Sequence, residues 1–198
     1  MIYPAVENIR ILQNATWRGV YRVTQQRQAI SITIDTFTNT PTFVKQCHGL
    51  VAGDRIVITP VSENYSLPCG IALNTVYYVI ASGLTANDFK VSATVGGTSI
   101  SASGAVSGSF YFAKPLDISG YIIDSDIRRA VVQAQVATFT IVILDAINGL
   151  FERILTPATT LEIEVGSYEH DISLTSGGGE RYYWAKGVAT VESTSSRN

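Results

Sequence analysis

The stretch AISITID, residues 29–35, decides the fold class, because apolar and polar side chains alternate along its whole length. The isoleucines at positions 30, 32 and 34 fall on one side of an extended chain, and the polar residues between them fall on the other. A period of two is typical of a half-buried β-strand. We therefore predict a strand here, with its isoleucine face against a core.

Many other segments share this character. They are short, rich in β-branched and aromatic residues, and bounded by Gly, Asn, Asp, Pro or Ser. They include RIVITPV, VYYVIA, DFKVSAT, GSFYFA, YIIDSDIRR, ATFTIVIL, LFERIL, YEHDISL and RYYWAKGVATVE. One helical turn is predicted in TPATTLEIE, where Thr156 can cap and Pro157 can take the first helical position. The sequence predicts an all-β protein built from sandwiches or barrels.

The composition changes twice along the chain, which indicates an insertion. Residues 27–113 are turn-rich and heavy in Gly, Ser and Thr, whereas the flanks carry most of the charge and both tryptophans. We predict that residues 1–26 and 114–198 form one discontinuous, immunoglobulin-like β-sandwich framework domain. Residues 27–113 would form an inserted small β-barrel or sandwich.

Charge and hydropathy exclude several classes of function. The formal net charge of −2 gives no basic field, so we predict no nucleic-acid partner. Only 15% of the 198 residues are charged, which favours a surface partly covered by copies of the chain or by other proteins. Apolar runs such as FTIVIL are too short to span a membrane, and the N-terminus lacks the pattern of a secretory signal, so we expect folding in a cytoplasm.

The stretch CHGLVAGDRI, residues 47–56, raises the question of a site. Gly49 and Gly53 permit a tight turn, and a strand follows them, whereas a phosphate-binding loop would open a helix. Cys47 and His48 lack further ligands at zinc-type spacing, and Cys69 has no partner histidine. We predict a turn with free, buried thiols, and neither a metal site nor a cofactor.

No catalytic arrangement stands out. His170 is flanked by Glu169 and Asp171, but adjacent residues on a strand point to opposite faces, so we expect a structural histidine beside solvent-facing acids. Asp124 and Asp126 share a strand face, which is more often solvated than catalytic. The chain has no GxSxG elbow. We predict that it is not an enzyme.

The flanking segments carry a resemblance to a known family. NIRILQNATWRGVYRVT, PLDISGYIIDSDIRR and GSYEHDISLTSGGGERYYWAKGVATVE are similar, in order, to three landmarks of the N-terminal domain of phage baseplate upper proteins. The matching positions are Gly120, Tyr121, Ile127, Arg128, Gly166, Tyr168, Asp171, Ile172, Leu174, Gly187, Val188 and Val191. His170 stands where an aromatic residue is common, and Asn14 replaces the usual Gly before Ala15.

The insert resembles a second phage module, repeated in tail and fibre proteins. CHGLVAGDRIVI and LPCGIALNTVYYVIASGLTANDFKVSATVGGTSI carry that likeness. In the module, His48, Gly49, Gly53 and Asp54 recur as a turn signature, and the resemblance implies no catalytic role for them. Physically, the Asp54 side chain can bond nearby backbone amides and fix the turn.

The resemblance implies an architectural role: a virion protein of the tail, baseplate or fibre-attachment region that docks other virion proteins and copies of itself. The aromatic residues chosen as interface candidates are Tyr182, Tyr183, Trp184, Trp17 and Tyr111. Core packing is the equally weighted alternative for the run from 182 to 184. Other possible functions are a head-decoration or neck protein, a module in which exposed aromatic residues such as Tyr65, Tyr111 or Trp17 stack on host-surface sugars, and a hydrolase.

Overall fold

The computed structural model describes residues 5–35, 38–61 and 64–194, and about half of these lie in β-strands. The predicted all-β fold class is confirmed. Contacts between Cα atoms divide the chain into two compact units, Met1–Val23 with Asp117–Asn198, and Thr24–Leu116. We call them the framework and the barrel unit. Their boundaries lie three residues from the predicted ones at 26/27 and 113/114.

The elements follow in chain order. The framework begins with β1 (Ala5–Val6), β2 (Ile9–Leu12) and β3 (Trp17–Arg22). The barrel unit contains β4 (Gln28–Asp35), β5 (Thr40–Val44), β6 (Arg55–Pro60), β7 (Val76–Ile80), β8 (Asp88–Ser92) and β9 (Phe110–Ala113). The framework then resumes with β10 (Ile122–Asp124), β11 (Asp126–Arg128), β12 (Gln135–Thr138), β13 (Thr140–Asp145), β14 (Leu150–Leu155), α1 (Pro157–Glu162), β15 (Gly166–Thr175) and β16 (Arg181–Glu192).

The framework is a sandwich of two sheets. One sheet has the order β1-β16-β15-β11-β12, with β10 also paired to β15 and β2 to β16, and the other has the order β13-β14-β3. Immunoglobulin-type domains place strands C, F and G in one sheet and B, E and D in the other. Here β11, β15 and β16 occupy the C, F and G places, and β3, β14 and β13 occupy the B, E and D places. The barrel unit is therefore inserted between strands B and C.

Both sheets contribute to one framework core. Its buried members are Ile9, Ile11, Ile127, Ala137, Phe139, Leu155, Ile163, Tyr168, Ala189 and Val191. Tyr168 lies near the start of β15, and its hydroxyl donates a hydrogen bond to the backbone oxygen of Glu164 over 2.8 Å. This is the geometry of the tyrosine corner found in immunoglobulin-type sandwiches. It fixes the connection from α1 into β15.

The predicted helical turn is confirmed as α1. Thr156 is the N-cap, and its side-chain oxygen accepts a hydrogen bond from the amide of Thr159 over 3.2 Å. Pro157 occupies the start of the helix, where its missing N–H costs nothing. The buried hydroxyl of Thr160 donates to the backbone oxygen of Ala15 over 2.9 Å, which ties the helix to the β2–β3 connection.

Gly187 is required by the close approach of the N-terminal segment to β16. A Cβ atom at Gly187 would overlap the backbone carbonyl of Glu7. We expect Gly187→Ala to destabilise the framework by about 1–3 kcal/mol, because backbone has to move to make room. Urea unfolding followed by tryptophan fluorescence measures this.

The matched control is Gly166→Ala on β15, where the nearest atom to an added Cβ is a ring carbon of Tyr168 at 3.7 Å. We expect almost no change in the unfolding free energy from this second variant. Equal losses in the two variants would contradict the steric explanation for Gly187.

The barrel unit is a closed barrel with the strand order β4-β5-β8-β7-β6-β9. Its interior is aromatic at the centre: the ring of Phe89 stacks on Phe43 with 5.2 Å between centroids and meets the edge of Phe112 at 5.5 Å. Leu50, Val79 and Phe89 belong to this core, and Val57 is buried as well. In β4 the alternation that opened the sequence analysis places Ile30 and Ile32 in the core, as predicted.

The stretch CHGLVAGDRI forms turns that lead into β6. The Asp54 carboxylate accepts hydrogen bonds from the amide of Val51 over 2.8 Å and from the Lys114 ammonium over 2.6 Å, so its predicted role in fixing the turn is confirmed. His48 is buried. Its Nδ1 accepts a hydrogen bond from the amide of Leu50 over 2.9 Å, so the ring proton lies on Nε2.

One expectation about this region is wrong. Cys47 and Cys69 are free, but both are exposed rather than buried. Cys47 lies at a turn position with a φ of 53°, where its side chain points away from the barrel core. The turn geometry at Cys47, and not the apolar character of its thiol, therefore decides where this side chain lies.

Candidate functional site

An open groove lies on the outer face of the framework sheet that contains β11, β15 and β16. Its volume is about 840 Å³. The lining residues are Arg128, Gln133, Glu169, His170, Asp171, Arg181, Tyr182, Tyr183, Lys186, Gly187 and Val188. The strand pairing explains this composition, since residues opposite each other on β15 and β16 share a face: Glu169 faces Val188, and Asp171 faces Lys186.

One end of the groove is held rigid by Arg181. Its guanidinium donates to the buried hydroxyl of Ser173 through Nε at 3.1 Å and through Nη2 at 2.9 Å. The guanidinium carbon also lies 5.5 Å from the centre of the Tyr183 ring. A register shift between Ile172 and Ser173 sets Tyr183 opposite Ser173 and so places the ring beside the guanidinium. The result is an ordered, half-exposed aromatic and cationic surface.

The groove carries charges of both signs. Arg128 bonds the Asp126 carboxylate over 2.8 Å and lies 4.0 Å from that of Asp171, and the hydrogen bond to Asp126 is the main cause that raises the pKa of Arg128. Lys186 lies opposite Asp171 in the register of β15 and β16. Mixed charge with exposed tyrosine suits recognition of a polar ligand or a protein surface.

A polar network is buried inside the sandwich around Arg153 of β14. This side chain has no exposed surface, yet it is charged. Its guanidinium donates to the Ser125 hydroxyl at 3.0 Å, to the Glu7 carboxylate at 3.0 Å and to the Tyr21 hydroxyl at 2.6 Å. Its central carbon lies 4.3 Å from the centre of the Tyr21 ring and 4.7 Å from that of Phe139, so cation–π attraction adds to the hydrogen bonds.

His170 completes this network in its neutral form. Nε2 donates to the backbone oxygen of Glu7 over 2.7 Å, and Nδ1 accepts from Arg153 over 3.3 Å, because a guanidinium can only donate. Burial is the main cause that lowers the pKa of His170, and burial likewise raises the pKa of Tyr21 to about 12. The ring of His170 is buried and the neighbouring Glu169 is exposed, as their alternation along the strand predicts.

Acid is expected to destabilise the framework through His170. The unfolded chain takes up a proton near the ordinary pKa of 6.5, whereas the folded state holds the ring neutral to a lower pH. Between these two pKa values the unfolded state binds more protons. The stabilising contribution is therefore complete above pH 6.5 and is lost as the pH falls toward the folded-state pKa. Urea unfolding followed by tryptophan fluorescence, from about pH 7.5 to about pH 5, measures this loss.

His170→Asn provides the comparison, because it keeps polar atoms near Glu7 and Arg153 but does not titrate in this range. We expect a flatter dependence of its unfolding free energy on pH. The same slope in both proteins would contradict the role given to His170.

A second exposed surface is the edge strand β13. Among the described residues it pairs with β14 alone, so its other edge has no neighbouring strand. Val142, Ile143 and Leu144 are 38%, 45% and 48% exposed, and no charge interrupts the run from Thr140 to Leu144. Sheet edges of this kind associate with other strands unless they are protected.

The five aromatic interface candidates lie in different environments. Tyr182 and Tyr183 are exposed beside the groove, at 39% and 47%. Trp184 meets the rings of Tyr21 and Phe151, and Trp17 packs against the framework core with its ring 5.2 Å from Phe139. Tyr111 lies half-buried on β9 of the barrel unit. Their role as interface anchors stays a prediction.

Arg153 is not among the residues predicted from the sequence, although a signal for it exists. In LFERIL the period of two places Phe151, Arg153 and Leu155 on the same inward face. Gly19 lies directly opposite Arg153 on β3, where a side chain would collide with the rings of Trp17 and Tyr21. A charged residue in the inward phase of a strand, facing a glycine, indicates a buried charge with partners.

Within residues 5–35, 38–61 and 64–194, no group of three or more His, Cys, Asp or Glu side chains is placed to hold a metal ion. In the same part of the chain, no helix combines the length and apolar character needed to cross a membrane. No family model matches the chain, and no curated protein matches it. The resemblance to phage proteins therefore stays a prediction.

Proposed function

We propose that this protein is a bacteriophage virion subunit of the tail, baseplate or fibre-attachment region, and that it acts by docking to other virion proteins and to copies of itself rather than by catalysis. The protein would be assembled into particles in the host bacterial cytoplasm. Its framework would supply the main docking surfaces, and the barrel unit would supply a second contact.

The observation that carries the proposal is the amount of aliphatic surface that the framework exposes. Side chains at least 38% exposed include Leu12, Val20, Ile122, Val131, Val132, Val142, Ile143, Leu144, Ile147, Leu161, Val165 and Val188. Charged residues make up only 15% of the chain, so little charge repulsion opposes a partner that covers these aliphatic side chains. Exposed aliphatic side chains favour a permanent assembly, in which a partner covers them and the interface resembles a core cut in two.

Purified phage particles provide the test. Antibodies raised against the chain should label intact particles at symmetric positions on the tail, and the chain should be found among the particle proteins by mass spectrometry. Labelling of the head or neck would move the subunit to a decoration or neck position. Absence from the particles would overturn the proposal.

The groove favours a second candidate function, the binding of host-surface sugars. Two exposed tyrosine rings line it beside the carboxylates of Glu169 and Asp171, and aromatic rings next to hydrogen-bonding acids are the chemistry that holds a sugar. An array of bacterial polysaccharides tests this candidate. Binding that is lost in Tyr183→Ala but kept in Tyr182→Phe would support it, and the absence of binding by the unaltered chain would exclude it.

A further inference from the structure

We propose that two copies of this chain associate through β13, edge to edge and antiparallel, so that the β13-β14-β3 sheets of the two copies join into one six-stranded sheet. This inference rests on the proposed function for its biological meaning, because it names a copy of the chain as the partner in docking. Its physical basis lies entirely in the framework.

The two edges of the three-stranded sheet differ in their protection. The β3 edge carries Arg18 and Arg22; Arg18 bonds Glu152 over 3.0 Å, and Arg22 donates to the backbone oxygen of Asn148 over 2.6 Å. Charged side chains on an edge strand oppose pairing with another chain. The β13 edge has no such residue between Thr140 and Leu144. Only β13 is therefore open to a further strand.

The charges of β13 favour the antiparallel arrangement of two copies. The charged residue of the strand is Asp145 at its end, and the opposite end is Thr140. Antiparallel pairing about a two-fold axis at Val142 sets the two Val142 side chains opposite each other on one face and places the two Asp145 carboxylates at opposite ends of the paired segment. In-register parallel pairing would place two Asp145 carboxylates side by side. A two-fold axis satisfies the antiparallel case and produces a closed dimer.

The exposed aliphatic part of β13, Val142 to Leu144, is small, and its size sets the expected strength of association. Three aliphatic side chains about half exposed, with one row of backbone hydrogen bonds, fall short of the roughly 800 Å² that each partner buries in a standard interface. A register shift between Ile143 and Asp145 also shortens the regular part of the edge. We therefore expect a reversible dimer in the micromolar range that larger contacts in an assembly would reinforce.

Sedimentation velocity of the full chain over a range of concentrations tests the inference. We expect a monomer–dimer equilibrium, and we expect Val142→Lys to weaken it by at least about tenfold in the dissociation constant. The matched control is Val20→Lys on β3. Val20 lies in the same cross-strand row as Val142, through Glu152, and is 58% exposed. Thermal unfolding of both variants establishes that each remains folded.

The control separates edge pairing from face packing. Edge pairing predicts loss of the dimer in Val142→Lys only, with hydrogen-exchange protection of β13 amides that increases with protein concentration. Equal loss in Val20→Lys would overturn the inference in favour of packing between sheet faces. A chain that stays monomeric, or a dimer unchanged by Val142→Lys, would also overturn it.

A covalent readout tests the register. The exposed Cys47 and Cys69 are first replaced by serine. In that background, Val142→Cys should form a disulfide between copies on mild oxidation, whereas Val20→Cys should not. If Val142→Cys does not cross-link and the chain is still found in particles, the inference is wrong and the proposed function stands. If Val142→Cys cross-links and the chain is absent from particles, the inference stands and the proposed function is wrong.

Discussion

Arg153→Ala is expected to destabilise the framework by about 3–5 kcal/mol, enough to unfold many domains of this size. The change removes the donor that serves Ser125, Tyr21 and Glu7, and it leaves the Glu7 carboxylate, 29% exposed, without its counter-ion. It also removes the guanidinium stacked on the Tyr21 ring. Urea unfolding followed by tryptophan fluorescence reports the loss directly, because Trp17 and Trp184 both lie in the framework.

Arg153→Met separates charge from volume. A methionine fills most of the space, so we expect a smaller loss than with alanine, and adding Glu7→Gln should recover part of it because no unpaired carboxylate then remains. If Arg153→Ala unfolds at the same urea concentration as the unaltered protein, the buried network contributes no net stability.

Phe89→Ala is expected to cost the barrel unit about 3–5 kcal/mol. Phe89 has no exposed surface, and its ring contacts those of Phe43, Phe112 and His48 at 5.2 to 5.5 Å between centroids. A smaller side chain at position 89 leaves a cavity. In a closed barrel this cavity stays open, because neighbouring strands cannot move inward independently.

Two probes show which unit is affected. Far-UV circular dichroism reports both units, whereas tryptophan fluorescence reports the framework alone. We expect Phe89→Ala to move a circular-dichroism transition to lower urea while the fluorescence transition stays in place. Phe89→Leu, which leaves a smaller cavity, should give a smaller shift. A fluorescence transition that moves equally would show that the two units unfold together.

Most of the architecture could be predicted from local patterns. The alternation at positions 30, 32 and 34 identified β4, and Thr156 with Pro157 identified α1. These two predictions succeed because the burial pattern of a strand and the capping of a helix depend on residues close in sequence. The composition change likewise lies close to the boundaries of the two units.

The candidate surfaces could not be predicted in the same way. The groove depends on the register of β15 with β16, including the shift near Ser173 that moves Tyr183 beside Arg181. The Arg153 network gathers Glu7, Tyr21, Ser125 and His170 from four separate segments of chain. The exposure of Cys47 depends on its positive φ. The groove, the Arg153 network and the exposure of Cys47 depend on long-range pairing or turn geometry, which residue type alone does not reveal.

The pairing of β2 with β16 also dictates an order of events at the ribosome. Ile11 lies beside Val191, so β2 cannot find its neighbour until β16 has been synthesised. All six strands of the barrel lie between Gln28 and Ala113, so that unit closes as soon as its own segment emerges. Until β16 has been synthesised, we expect a nascent chain with a finished barrel and an open sandwich, in which the aliphatic β13 strand is exposed to aggregation.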